Sequence, residues 1–300
     1  KRTLLIDQIF ELPISQGVFF NKIDFFKVGN FKSLFELLIE NNEVDLVKKI
    51  LARGYHKNSY FSSISCGTTL IDLLININLT NLFKILIENK IISSDSLFKQ
   101  DIHGRNFLHH IAENRECDFL PILISHQFPI QQLLNQDRDQ KNPLHLAASK
   151  NNLRFIQTIF NNANQFFDAI SARNRFGQNI LHVAILNHAI EVFEFLSQST
   201  FMTRFNRPDI NLNTPLHLAV IARKPNIVRT LLSIGGSFSH LFKINNTHMN
   251  AFHLAAQMNQ PEMLNIFISE NYGHGYLNYS NNPFHTPAHT AATFNNLSFI

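Results

Sequence analysis

Apolar side chains in this chain recur on a helical period rather than an alternating one. Ile227, Val228, Leu231 and Leu232 mark one face of a short helix, and similar stripes run through 153–160, 190–196 and 263–268. Ahead of these stripes lies a compact pattern of a polar residue, a short apolar run with a central His, and small residues. It reads Asn106-Phe-Leu-His-His-Ile-Ala112, Asn142-Pro-Leu-His-Leu-Ala-Ala148, Asn179-Ile-Leu-His-Val-Ala-Ile185, Thr214-Pro-Leu-His-Leu-Ala-Val220, Asn250-Ala-Phe-His-Leu-Ala-Ala256 and Thr286-Pro-Ala-His-Thr-Ala-Ala292. The central histidines, His109, His145, His182, His217, His253 and His289, stand 36, 37, 35, 36 and 36 residues apart. Such a fixed interval predicts an array of stacked units rather than one globular core. Two degenerate copies precede them in phase, Ser33-Leu-Phe-Glu-Leu-Leu38 and Thr69-Leu-Ile-Asp-Leu-Leu74, with Glu36 and Asp72 in the histidine slot.

Each position in the unit has a physical reason. Thr214 or its Asn equivalents can cap the first helix by accepting from a backbone N–H one turn on. Pro143, Pro215 and Pro287 fall at the first helical position, where a missing N–H costs nothing. The Ala residues let neighbouring helices approach closely. Gly54, Gly235 and Gly236 stand where second helices end, a place for left-handed backbone.

The motif resembles the Thr-Pro-Leu-His-x-Ala signature of ankyrin repeats, over roughly residues 31–300. The resemblance implies an all-α solenoid of helix–turn–helix units with projecting finger loops. Its expected repeats are 31–66, 67–103, 104–139, 140–176, 177–211, 212–247, 248–283 and a truncated 284–300. Residues 1–30 hold one amphipathic stretch, Leu5, Ile9 and Leu12, ended by Pro13; they are expected to be a helical cap or the tail of an upstream domain. Ser33 to Gly54 and Thr214 to Gly235 fit the family unit without gaps, but the family period is about 33 residues. The surplus is expected in the fingers, which begin at Asp-x-x-Gly turns such as Asp101-Ile-His-Gly104 and its partial copy Asn174-Arg-Phe-Gly177.

Composition narrows the picture. The 300 residues are 45% hydrophobic, with 29 Phe and no Trp, so Phe is expected to replace Leu at many packing positions. Two cysteines, Cys66 and Cys117, form no disulfide framework and suit a reducing compartment. No apolar run approaches a membrane span, and Thr3 to Leu12 carries Asp7 and Glu11, unlike a signal peptide. Leu297-Ser-Phe-Ile300 lacks the polar face of a terminal repeat, which predicts that the protein continues. A cytoplasmic setting is expected. The Asn- and Phe-rich character is similar to ankyrin proteins that intracellular bacteria deliver into host cytosol.

Catalytic and metal chemistry find little support. In-phase histidines on adjacent repeats are held about 8–10 Å apart by helix packing, whereas zinc ligands lie about 2.0–2.1 Å from one ion. The rings are therefore expected to bond their own caps and the backbone of an adjoining finger. Cys117 beside a histidine is the one nucleophile–base pairing, and it reads better as a buried structural thiol. Gly273-His-Gly275 is not a phosphate loop, and no Gly-Lys-Ser/Thr or His-Glu-x-x-His occurs. No catalytic residue, metal or cofactor is expected.

The fingers carry a charge bias that the whole chain, at net +4, does not. Across 98–105, 134–141, 171–178, 203–212 and 241–249 stand Lys99, Arg105, Arg138, Lys141, Arg173, Arg175, Arg204, Arg207 and Lys243. Opposite them are Asp101, Asp137 and Asp209, which occupy turn slots where the side chain bonds its own backbone, and the leftover Asp139. Phe176, Phe205 and Phe242 interleave with the basic residues. A basic and aromatic stripe along the concave rim is expected to grip an acidic segment of a partner protein, or secondarily a phosphorylated one. The small net charge and missing motifs argue against nucleic acid. The alternative is the targeting or regulatory region of a larger enzyme.

Overall fold

The computed structural model describes residues 74–75, 78–88, 90, 92, 94–115, 118–162, 165–234, 243–269, 285–296 and 298. The expectations for residues 1–30, Glu36, Asp72, Gly54, both cysteines, Gly235, Gly236, Phe242 and the Gly273 to Gly275 connection lie outside them. Every regular element among the described residues is helical. The chain divides into two units, Lys1–Leu97 and Phe98–Ile300. In the first, helix Thr80–Glu88 buries Leu82, Phe83, Leu86 and Ile87, one stripe at helical spacing.

In the second unit each motif forms a seven-residue inner helix: Phe107–Glu113, Pro143–Ser149, Ile180–Leu186, Pro215–Ile221, Ala251–Gln257 and Pro287–Thr293. These helices stack serially, each against the next. Ala112, Ala148, Ala184, Ala219, Ala255 and Ala291 are fully buried along the stack, where a bare methyl sets the close approach. Outer helices Phe119–Ser125, Leu153–Phe160, Ile190–Ser197, Pro225–Ile234 and Pro261–Ser269 form a parallel row. Between inner and outer helices the backbone turns through left-handed residues that are not glycine: Asn151, His188, Arg223, Asn259 and Asn295.

Amide side chains fasten one repeat to the next. Asn152 caps Leu153–Phe160 by accepting from Phe155 N–H at 3.1 Å, and its Nδ2 donates to the carbonyls of Ala112 and Asn114, each at 3.1 Å. These are end carbonyls of the preceding inner helix, which no intrahelical N–H reaches. Gln260 repeats the bond to Val220 O at 3.0 Å, and Asn296 to Ala256 O and Gln257 O, both at 2.8 Å.

In the four repeats whose connections are described, the surplus residues do not lengthen the fingers. They form an extra short helical segment between outer helix and finger: Ser94–Phe98, the 3-10 turn Ile130–Leu134, Phe167–Ser171 and Met202–Phe205. Each buries an apolar group, Leu97, Leu133, Ile170 and Phe205 in turn. The cap asparagines tie this segment down. Nδ2 of Asn106, Asn142 and Asn179 donates to the carbonyls of Gln132, Ala169 and Phe205 at 3.4, 2.8 and 2.8 Å. Threonine could cap the helix but could not make that bond.

Candidate functional site

The recurring geometry of four motif histidines ties each repeat to the base of the next finger. Asn142 Oδ1 accepts from His145 N–H at 3.1 Å, and the Asn142 backbone N–H donates to His145 Nδ1 at 3.3 Å, a reciprocal cap. At Thr214 the hydroxyl also lies 2.7 Å from His217 Nδ1. With Nδ1 accepting, Nε2–H is the donor. It reaches the base of the next finger: His109 to Lys141 O at 3.2 Å, His145 to Gln178 O at 3.0 Å, His217 to Met249 O at 3.1 Å and His253 to His285 O at 3.2 Å. Each acceptor immediately precedes the next cap residue, so one imidazole clamps two repeats.

Burial leaves no water to solvate an imidazolium, and it pushes His109, His145 and His217 down to about 4 and His182 down to about 3. His253 is lowered by the same cause. In His109, His145 and His217, neutral at pH 7, both nitrogens are committed to hydrogen bonds, which leaves no lone pair for a metal. Among the described residues no three His, Cys, Asp or Glu side chains converge on one point. His182 differs: its Nε2 is buried without a well-formed hydrogen bond, and the Arg207 backbone offsets its burial only weakly.

Five finger turns share one design, and the clamps hold those at Asp137, Asn174 and Asn245. Asp101, Asp137, Asn174, Asp209 and Asn245 each accept two backbone N–H groups on Oδ1, from residues two and four ahead, at 2.7–3.1 Å. Three residues after each comes a left-handed position: Gly104, Gln140, Gly177, Leu212 and His248. Successive fingers are joined by single backbone bonds. Arg138 N donates to His103 O at 3.0 Å, Arg175 N to Asp139 O at 3.3 Å, Ile210 N to Phe176 O at 3.0 Å and Asn246 N to Asn211 O at 2.9 Å. At Gly177 the approach is closest, and a Cβ there would meet Ile210 Cγ2 at 2.9 Å and Ile210 N at 3.0 Å.

The expected basic stripe separates into two sets. Arg105 is engaged by Glu113 at 3.2 Å and Asp137 at 3.7 Å. Lys141 and Arg175 both pair with Asp139, at 3.4 and 2.9 Å, so the leftover carboxylate is used within the rim. Arg173 Nε donates to Gly177 O at 2.6 Å, and its guanidinium also reaches the Pro208 carbonyl, bridging two fingers. Lys99, Arg138, Arg207 and Lys243 are exposed and form no ion pair with another described residue. Arg204 is exposed but sits on helix Met202–Phe205, its guanidinium 4.4 Å from the Phe167 ring centroid.

The aromatic members divide as well. Phe176 is 40% exposed with Arg175 over its ring at 4.7 Å. Phe205 does not belong to the rim. It is 1% exposed, inside the extra helical segment, where it packs near Phe160 and Phe201. Apolar fingertip residues went unnoticed in the sequence: Ile102, Ile210 and Leu212 are 76, 56 and 46% exposed. Their signal was present, since all three stand at the tip of Asp-headed turns.

Comparison with known proteins supplies the last observations. The family model described as ankyrin repeats (3 copies) matches residues 75–169, 127–209, 159–240 and 201–279. Mouse Rabankyrin-5 is 32% identical over 148 residues, 49% of this chain and 12% of that protein. The ANK repeat-containing protein nipk-1 of Caenorhabditis elegans is 33% identical over 106 residues, 34% of this chain and 17% of that protein. The matched stretch thus spans less than a fifth of these relatives. The solved ankyrin repeat domain of Bcl-3, described as an IkappaB family member, has the same fold, with TM-score 0.57 at 18% identity. The match covers 77% of this chain and 98% of that one.

Proposed function

The chain belongs to the ankyrin-repeat family, and from that premise we propose that it is a non-enzymatic recognition module that binds an acidic segment of a partner protein along its finger rim. The observation that carries this reading is the set of exposed cations that no described carboxylate pairs. Lys99, Arg138, Arg207 and Lys243 stand on the first, second, fourth and fifth described fingers, with Arg175 and Phe176 on the third and Asp139 already paired with Arg175. Rim charges of this kind steer an oppositely charged partner and weaken with salt. Arg105, Lys141 and Arg173 support the rim from within; Arg204, beside Phe167, is at most peripheral to it. A reducing cytosol is the proposed setting, the host's if the protein is a bacterial effector.

Selection of random displayed peptides on the full chain tests the reading. Asp and Glu should be enriched, and selected peptides should bind the quadruple variant Lys99→Glu, Arg138→Glu, Arg207→Glu, Lys243→Glu about tenfold or more weakly. The circular-dichroism melt should stay at the wild-type temperature. Peptides without acidic enrichment, or with undiminished binding to the variant, reject it.

A further inference from the structure

We propose that the tips of the third and fourth fingers form an apolar anchor site, made by Phe176, Ile210 and Leu212, that seats a Leu or Phe side chain of the same acidic segment; this rests on the proposed function and names the part of the rim where the partner is held. Three observations meet there. The junction between these fingers is apolar: the Ile210 N–H bonds the Phe176 carbonyl at 3.0 Å, and both side chains are exposed beside it. At the other three junctions the flanking residues are polar, with Arg138 beside His103, Arg175 beside Asp139 and Asn246 beside Asn211.

Leu212 is the second observation. Its φ is 59°, left-handed backbone that a leucine disfavours, and its side chain is exposed rather than packed. Equivalent slots hold Gly104, Gln140, Gly177 and His248, so it is the one apolar side chain in that slot among the described fingers. Strain that returns no packing inside the fold points to a use outside it. The same finger also lies within the shortest repeat interval, the 35 residues from His182 to His217, and lacks the histidine clamp, since His182 Nε2 has no well-formed acceptor. The fold is under-optimised where the apolar surface is displayed.

Rigidity and charge complete the site. Arg173 holds the carbonyls of Gly177 and Pro208, and Asn246 Nδ2 holds Ile210 O at 3.1 Å from the other side. The tips are therefore pre-organised, which lowers the ordering cost of binding. Arg175 lies over Phe176, and exposed Arg207 stands two residues before the Asp209 turn, so cations flank the apolar patch. Apolar surface rimmed by Arg selects a segment with an apolar anchor between carboxylates.

The test uses the displayed-peptide selection on the full chain, followed by fluorescence anisotropy of chosen peptides against Leu212→Asn, Ile210→Ser and, as a distant-finger control, Ile102→Ser. Selected peptides should carry Leu or Phe between acidic residues. Leu212→Asn and Ile210→Ser should each weaken them about tenfold, Ile102→Ser should not, and Leu212→Asn should raise the thermal midpoint because Asn tolerates left-handed backbone. Acidic peptides with no apolar consensus, or affinity that survives both substitutions, overturn the anchor site and leave the acidic-partner reading standing. Selection with no acidic bias overturns both.

Discussion

Replacing Asn142 with Thr moves this repeat toward the commoner family motif, yet it should destabilise the protein. Asn142 is fully buried and makes two kinds of bond. Its Oδ1 caps the inner helix at His145 N–H, 3.1 Å, a role Thr214 fills in its own repeat. Its Nδ2 donates to Ala169 O at 2.8 Å, and threonine has no donor that reaches so far. Ala169 O keeps only a long 3.4 Å contact from Ala172 N–H. A buried carbonyl that loses its partner costs about 1–3 kcal/mol, and the residual contact favours the lower half, about 1–2 kcal/mol. The assay is urea unfolding followed by circular dichroism, with hydrogen exchange read on Phe167–Ser171. The midpoint should fall and that segment should exchange faster, while Pro143–Ser149 keeps its protection. A midpoint equal to or above wild type, with unchanged exchange at Phe167–Ser171, would refute the idea that the amide ties inner helix to extra segment.

Other expectations follow from the same bonds. Asn152→Ala removes an N-cap and the bonds to Ala112 O and Asn114 O, so stability should drop by about 2–3 kcal/mol, measured by the same urea titration. His217→Ala should cost about 1–3 kcal/mol through loss of the cap and the Met249 clamp, while a chelator should leave the wild-type melt unmoved; a large chelator effect would restore a metal site. The buried histidines have folded pKa values below their unfolded value, so their contribution is complete above pH 6.5 and is lost as pH falls toward 4. Each fully buried ring should contribute on the order of 2 kcal/mol to that loss. A unfolding midpoint equal at pH 7.5 and pH 4.5 would contradict it.

The inner helices, their caps and the histidine clamps were legible because each rests on residues a few positions apart, repeated six times. The finger turns were legible for the same reason, through Asp101, Asp137, Asn174 and Asp209. The extra helical segments were not. Met202–Phe205 is four residues long, too short for any hydrophobic period to register, and assigning 203–212 to a finger put Phe205 outside when it is inside. Asn and Thr caps looked equivalent because the distinguishing Nδ2 bond spans 26 or 27 residues. The pairing of Arg175 with Asp139 joins residues 36 positions apart and appears only once fingers are set side by side. Counting charges along the chain therefore overstated the free positive surface, and it passed over the uncharged Ile102, Ile210 and Leu212.

The finger ladder also sets how the array deforms. Helix faces meet over broad apolar contacts, whereas each finger junction is closed by one backbone hydrogen bond of about 1 kcal/mol net. Bending that opens the finger edge is thus soft, and the helical rows act as the stiff spine. Side chains reinforce each junction differently: Arg105 with Asp137, Arg175 with Asp139, Arg173 with the Pro208 carbonyl, and the Asn245 and Asn246 amides with Asn213 Oδ1 and Ile210 O. The array is a spring whose coils are fastened by different chemistry, so added salt loosens the ion-paired Arg175–Asp139 junction while the amide-bonded junction between the fourth and fifth fingers keeps its stiffness.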